Sequence, residues 1–296
     1  MSIEVQSFDD FESLQQIEAQ QSNLIRVVLE GRDDVALFAS QWFVAEQEMF
    51  DFVEAGHIVA GAGCTSVATA VEHSRNNDGV PTIGIVDRDV LFRERNWAAL
   101  YEQEQDRFEA ATLNDQVHVA SLWEIEAYLF DPDLLGHLVR ACSRRPPATM
   151  AQMSAALEKT LAECALLLDI APYLAGSHEA GVAVATGYLC DANAQRVQAE
   201  VGRQLAALTP PGVSAAAQVQ ALVEQIKAGL PLAPSEQLPF YLRFVDTKRL
   251  LQRLTHALGL NANIKWVLAA LQEATSRRPH ELAQVLERAK QRFAVY

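Results

Sequence analysis

The first 135 residues contain no lysine, although they hold 26 acidic residues and 7 arginines, a formal charge of −19. Residues 136–296 carry 17 basic and 12 acidic residues, a formal charge of +5. Carboxylates hold cations and basic surfaces attract phosphates, so this division predicts two different roles for the two halves.

Other features are missing as well. No run of about 18 apolar residues occurs, which argues against a membrane-spanning helix. The acidic start, MSIEVQSFDDFESLQQ, does not have the pattern of a secretory signal, so we expect a cytoplasmic protein. The 4 cysteines form no C-x-x-C pair and have no histidine at zinc-finger spacing. Neither a zinc site nor a disulfide framework is expected.

Short apolar runs alternate with helical patterns in the first half. Such alternation predicts an α/β fold, a parallel sheet with helices on both faces. The predicted strands are residues 24–30, 57–64 (ending in a GAG turn), 81–90 and 116–121. The predicted helices are residues 12–22, 35–50 and 65–76, with a further helix beginning at WEIEAYLF (123–130).

From about residue 132 the chain is rich in alanine, leucine and glutamine at helical spacing, with proline and glycine between segments. This composition and spacing predict an all-α region. We therefore expect a catalytic domain at 1–135 and a helical domain at 136–296 that supplies dimerisation, partner or nucleic-acid contacts.

Several acids fall at predicted strand ends. Glu30 ends the first strand, Asp87 and Asp89 end the third, and Asp34 lies one helical turn beyond Glu30. In parallel sheets, functional groups gather at the carboxyl ends of the strands. Like charges packed there repel unless a cation joins them, and Mg²⁺ favours carboxylate oxygens. The pattern predicts a site for Mg²⁺ or Mn²⁺.

A plainer interpretation of the same acids stays open. The DRD segment (87–89) would then be a solvated turn, and the acids of EGRDD (30–34) would sit at a helix N-terminus, where they suit the helix dipole.

The segments VVLEGRDD (27–34), GAG (61–63) and IGIVDRD (83–89) together resemble the motif of TOPRIM domains, which occur in topoisomerases, primases, small ribonucleases and the overcoming-lysogenization-defect nucleases. The resemblance covers roughly residues 20–135. It implies a TOPRIM-type parallel sheet in which Glu30 is a metal ligand or general base. Asp87 and Asp89 would hold the metal, with Asp34 as a ligand or a supporting residue.

Two further segments resemble one bacterial TOPRIM family, which includes the nuclease subunit of the PARIS phage-defence system. SLWEIEAYLF (121–130) is similar to a segment that typically contains EIENYL, with Ala127 where asparagine is usual. FVDTKRLLQRL (244–254) is similar to a late GKELL-like segment, with Thr247 in place of glycine. The resemblance makes Glu124 and Glu126 candidates for a second metal and makes Lys248 the residue that neutralises phosphate charge.

The function expected from these observations is a metal-dependent endonuclease acting on DNA or RNA, with tRNA among the candidates. The resemblance implies an antiviral defence effector, a homodimer when active, controlled by an ABC-type ATPase partner. Three alternatives stay open. A haloacid-dehalogenase-like phosphotransferase would use Asp87 as nucleophile, a more distant sugar-nucleotide transferase would use the DxD motif for Mn²⁺, and a non-catalytic module would only bind a partner.

Overall fold

The computed structural model describes residues 24–60, 64–112, 114, 116–183, 194–261 and 263–293. The helix expected at 12–22 and the GAG turn at 61–63 lie outside these residues. Within them, no helix combines the length and the apolar character that crossing a membrane requires.

A four-stranded parallel sheet is the centre of the α/β region. Its strands are β1 (Ile25–Leu29), β2 (Phe50–Glu54), β3 (Thr82–Val86) and β4 (Val117–Val119), in the order β2-β1-β3-β4. Every residue of β1 and β3 is buried. Continuous apolar runs such as IRVVL and TIGIV are typical of strands covered on both faces. The strands predicted at 24–30, 81–90 and 116–121 are thus confirmed, with slightly shorter bounds.

The close packing around the central strands depends on a glycine of β3. Val28 of β1 lies opposite Gly84 of β3, one residue before the end of β1 and two residues before the end of β3. A Cβ atom at Gly84 would lie 2.7 Å from Cγ1 of Val67 and 3.2 Å from Cγ2 of Val117. A larger residue would therefore push the neighbouring helix away from the sheet.

The prediction for the second strand was wrong. Strand β2 is Phe50–Glu54, whereas residues 55–57 form a 3-10 turn and residues 58–60, where the expected strand 57–64 would begin, are not a strand. The expected helix at 35–50 is correspondingly broken into shorter segments. Phe50 and Phe52 are both buried. The acid between them, Asp51, pairs with the buried Arg26 of β1 at 3.1 Å. The strand thus carries a charge that is neutralised within the sheet.

Helices make up most of the remaining described chain. The segment expected to begin a helix at 123–130 instead forms a 3-10 turn, Ile125–Leu129. The α-helices are α1 (Arg32–Leu37), α2 (Cys64–Asn76), α3 (Val90–Arg93), α4 (Trp97–Leu100), α5 (Gln105–Thr112), α6 (Leu135–Cys142), α7 (Met150–Ser154), α8 (Ala156–Glu179), α9 (Ala194–Leu205), α10 (Pro210–Ala228), α11 (Pro234–Tyr241), α12 (Thr247–Ala257), α13 (Ile264–Ala274) and α14 (His280–Phe293).

The chain divides into two compact units. One comprises Met1–Val86, Leu113–Val119 and Arg277–Tyr296, and within it Glu281 of α14 contacts His118 of β4 at 2.9 Å. The other comprises Asp87–Thr112 and Ala120–Ser276 and is helical. The helical C-terminal region is confirmed, while the domain boundary at residue 135 stays a prediction.

Candidate metal centre

Three carboxylates converge at the ends of two adjacent strands. One oxygen from each of Glu30, Asp87 and Asp89 lies within 4.8 Å of the other two. Glu30 directly follows β1, and Asp87 directly follows β3. Because β1 and β3 are paired and parallel, their carboxyl ends meet at one edge of the sheet. The structure thus brings together three of the four acids on which the sequence prediction rested.

The two aspartates are held by different contacts. Asp87 is only 4% exposed, and its Oδ1 accepts the backbone N–H of Ile125 at 2.8 Å. Oδ2 of Asp89 bonds the Arg93 guanidinium at 2.8 Å, whereas Oδ1 is buried with no hydrogen-bond partner among the described residues. A buried carboxylate oxygen without a donor carries a desolvation cost that a cation would offset.

Arg88 lies between the two aspartates and is completely buried. Its guanidinium donates to the backbone oxygens of Leu100, Ser121 and Glu102 at 2.8, 2.8 and 2.9 Å. The same group lies over the ring of Phe108, 4.0 Å from its centroid. These bonds fix the backbone from which Asp87 and Asp89 project. Sequence reasoning missed this role, because an arginine between two acids in a turn is more typical of a solvated surface.

Asp34 stands outside the three-carboxylate group. Its Oδ2 accepts the backbone N–H of Gly31 at 3.1 Å, and its own N–H donates to the Gly31 carbonyl, also at 3.1 Å. These bonds close the first turn of α1 directly after Glu30. Asp34 therefore shapes the turn that presents Glu30.

Glu124 is paired with Lys248. The carboxylate is 3% exposed, its Oε2 accepts the backbone N–H of Lys248 at 2.8 Å, and its Oε1 lies 3.0 Å from Nζ. Burial raises the pKa of Glu124 to about 8, and the charges of Asp246 and Glu126 act in the same direction, while Lys248 opposes them.

Lys248 is the second residue of α12, and Asp246 caps this helix by accepting the N–H of Arg249 at 2.9 Å. Desolvation opposes the charge on Lys248, but the carboxylates of Glu124, Glu126 and Asp87 outweigh it and raise the pKa of this ammonium. The side chain is 59% exposed, so the ammonium remains accessible to a ligand.

Glu126 has a different lysine partner. Its Oε1 lies 3.6 Å from Nζ of Lys265, which belongs to α13. Its Oε2 is buried and has no hydrogen-bond partner among the described residues. The structure thus places both glutamates beside ammonium groups, and neither joins the group formed by Glu30, Asp87 and Asp89. Lys265 had no distinctive sequence pattern and was not predicted.

The three-carboxylate group has the donors that a hard divalent cation prefers. Oxygens that share one Mg²⁺ lie at most about 4.2 Å apart, which is close to the 4.8 Å within which these three carboxylate oxygens lie. The unpartnered Asp89 oxygen is a further observation that fits a cation.

No protein-family model, curated protein or solved structure matches this chain.

Proposed function

We propose that this protein is a divalent-metal-dependent endonuclease of the TOPRIM type that hydrolyses phosphodiesters in DNA or RNA. The observation that carries the proposal is the convergence of Glu30, Asp87 and Asp89 at the ends of two adjacent parallel strands. The resemblance of the sequence motifs to TOPRIM nucleases supports the same function.

Glu30, Asp87 and Asp89 would hold Mg²⁺ or Mn²⁺. A bound divalent cation would polarise the phosphate and lower the pKa of a water molecule that attacks phosphorus. Glu30, which the resemblance makes a candidate general base, is half-buried, and Asp34 keeps the turn beside it closed.

Lys248 would contact the phosphate. Its charge is assured at neutral pH because the surrounding carboxylates raise its pKa, and its side chain is exposed enough to reach a ligand. An ammonium held in place before the reaction stabilises negative charge that develops on the phosphate oxygens.

The partners also belong to the proposal. The resemblance to the PARIS nuclease subunit supports a defence effector that is a homodimer when active and is controlled by an ABC-type ATPase. The basic character of residues 136–296 supports a contact between this half and nucleic acid.

The test is metal-dependent cleavage of plasmid DNA and of total tRNA by the full chain. We expect cleavage with Mg²⁺ or Mn²⁺, and a loss of at least about 100-fold in Glu30→Gln and Asp87→Asn, because each removes a charged metal ligand. Asp106→Asn, an exposed acid on α5, is the matched control and should retain activity.

Two results would reject the proposal. One is cleavage that persists unchanged in Glu30→Gln and Asp87→Asn. The other is a protein that neither cleaves these substrates, even with an ATPase partner present, nor binds Mn²⁺. Covalent phosphorylation of Asp87 by a phosphate donor would instead favour the phosphotransferase alternative.

A further inference from the structure

Two buried glutamates, one directly before the 3-10 turn Ile125–Leu129 and one within it, each face a lysine from a different helix. Glu124 faces Lys248 of α12, and Glu126 faces Lys265 of α13. All four residues belong to the same compact unit. Glu124 and Glu126 are the residues that the sequence resemblance offered to a second metal ion.

The oxygens of Glu124 are already used. One accepts the backbone N–H of Lys248 and the other lies 3.0 Å from its ammonium. The N–H belongs to the first turn of a helix, so the carboxylate is bound to the end of α12 as well as to a flexible side chain. A divalent cation would have to displace both kinds of donor.

Glu126 offers less than a cation needs. Its Oε2 is buried and has no hydrogen-bond partner in the part of the chain that the structure describes, yet its Oε1 lies 3.6 Å from Nζ of Lys265. A hard divalent cation takes six or more oxygen ligands, of which carboxylates must balance its charge. One available oxygen beside an ammonium is a poor site, because the ammonium repels the ion.

We propose that Lys248 and Lys265 supply the positive charge that a second divalent cation would otherwise supply, so that each chain binds one divalent ion. The inference rests on the proposed nuclease function and specifies it as one-metal chemistry. When Glu124 is ionised, the two covalently attached ammonium groups compensate the two buried carboxylates, which would otherwise be unfavourable in this environment.

Lys248 is the decisive residue, because removing its ammonium frees Oε1 of Glu124, while Oε2 of Glu126 already lacks a hydrogen-bond partner among the described residues. We expect Lys248→Met to acquire a second Mn²⁺ site. Lys248→Arg keeps a positive charge at the same position and should stay at one ion. The arginine variant is therefore the matched control, because it changes the side chain but keeps the positive charge.

The experiment measures Mn²⁺ bound per folded chain, from the electron paramagnetic resonance signal of free Mn²⁺ during titration at slightly alkaline pH. The wild type should bind one ion, Glu30→Gln none, and Glu124→Gln one. Circular dichroism establishes that each variant is folded. Glu124→Gln keeps the proposal testable if Lys248→Met does not fold.

The outcomes separate the two proposals. Two ions in the wild type, with one lost in Glu124→Gln, would overturn the one-ion inference and leave the nuclease proposal standing. No ion in the wild type would overturn both. A folded Lys248→Met protein that still binds a single ion would overturn the role given to the lysine.

Discussion

Arg88 lies between two of the candidate metal ligands and is completely buried. Its charged side chain binds backbone oxygens instead of water. Its guanidinium supplies donors to the carbonyls of Leu100, Ser121 and Glu102. Lysine carries the same charge but lacks the planar set of donors, so the substitution is not conservative here.

Replacing Arg88 with lysine should lower the free energy of unfolding by about 2–4 kcal/mol, because two or more buried carbonyls lose their donors. Urea denaturation measures the loss. Arg107→Lys, at an exposed position of α5, should change stability by less than about 0.5 kcal/mol. Equal effects of the two substitutions would contradict the role of Arg88.

The raised pKa of Glu124 makes the stability of the folded protein depend on pH. Its pKa is raised to about 8 in the folded protein by burial and by Asp246 and Glu126. A carboxyl with a raised pKa binds its proton more tightly in the folded state than in the unfolded chain. Its contribution to stability is therefore complete below its ordinary pKa of 4.5 and declines as the pH rises to about 8.

We expect Glu124→Gln to have a smaller loss of stability than the wild type between these two pH values, because glutamine does not ionise. Urea denaturation at a series of pH values provides the comparison, with the exposed Glu109→Gln as control. Parallel curves for wild type and Glu124→Gln would show that the folded protein does not raise this pKa.

At the scale of elements, Gly84 determines how closely helix α2 and strand β4 approach β3. A methyl group there would lie 2.7 Å from Val67 and 3.1 Å from Val71, both on α2. Gly202 in α9 is the opposite case, since a Cβ would meet no atom within 4 Å.

Gly84→Ala should therefore destabilise the protein by about 1–3 kcal/mol through overpacking. Gly202→Ala should stabilise it by about 0.5–1 kcal/mol, because alanine favours a helix and restricts the unfolded chain. Thermal melts of both variants would detect the opposite signs, and a stabilising Gly84→Ala would refute the close packing.

The elements also explain which parts of the fold the sequence predicts. Strands β1 and β3 are continuous apolar runs covered on both faces, so composition alone identifies them. Strand β2 was missed because FDFVE carries acids, one of which, Asp51, is 28% exposed and pairs with Arg26 of β1. That pairing depends on strand order, which a local pattern does not contain.

The same reasoning applies to the site. The acids after β1 and β3 were predicted because parallel strand ends meet at one edge of a sheet. Arg88 and Lys265 were missed because their partners lie far along the chain, at residues such as Leu100 and Glu126. A charged residue has no periodic pattern that distinguishes a buried partner from water.

At the scale of the whole molecule, the two halves of the sequence carry opposite formal charges. We therefore expect the electrostatic interactions of the protein to depend on salt concentration. The formal charge of −14 is unevenly distributed, since all of the lysines follow residue 135. Added salt weakens attraction between exposed charges and also weakens contacts with nucleic-acid phosphates. Measurements of nucleic-acid binding therefore require a stated ionic strength.

The contact between His118 and Glu281 joins residues that are 163 positions apart in the sequence. Contacts of such long range form late and slow the folding of a chain. During translation, β4 leaves the ribosome long before the helix α14 that it contacts, so this unit completes its packing only after α14 has been made. This unit would therefore remain incomplete while the intervening helices of the other unit are being made.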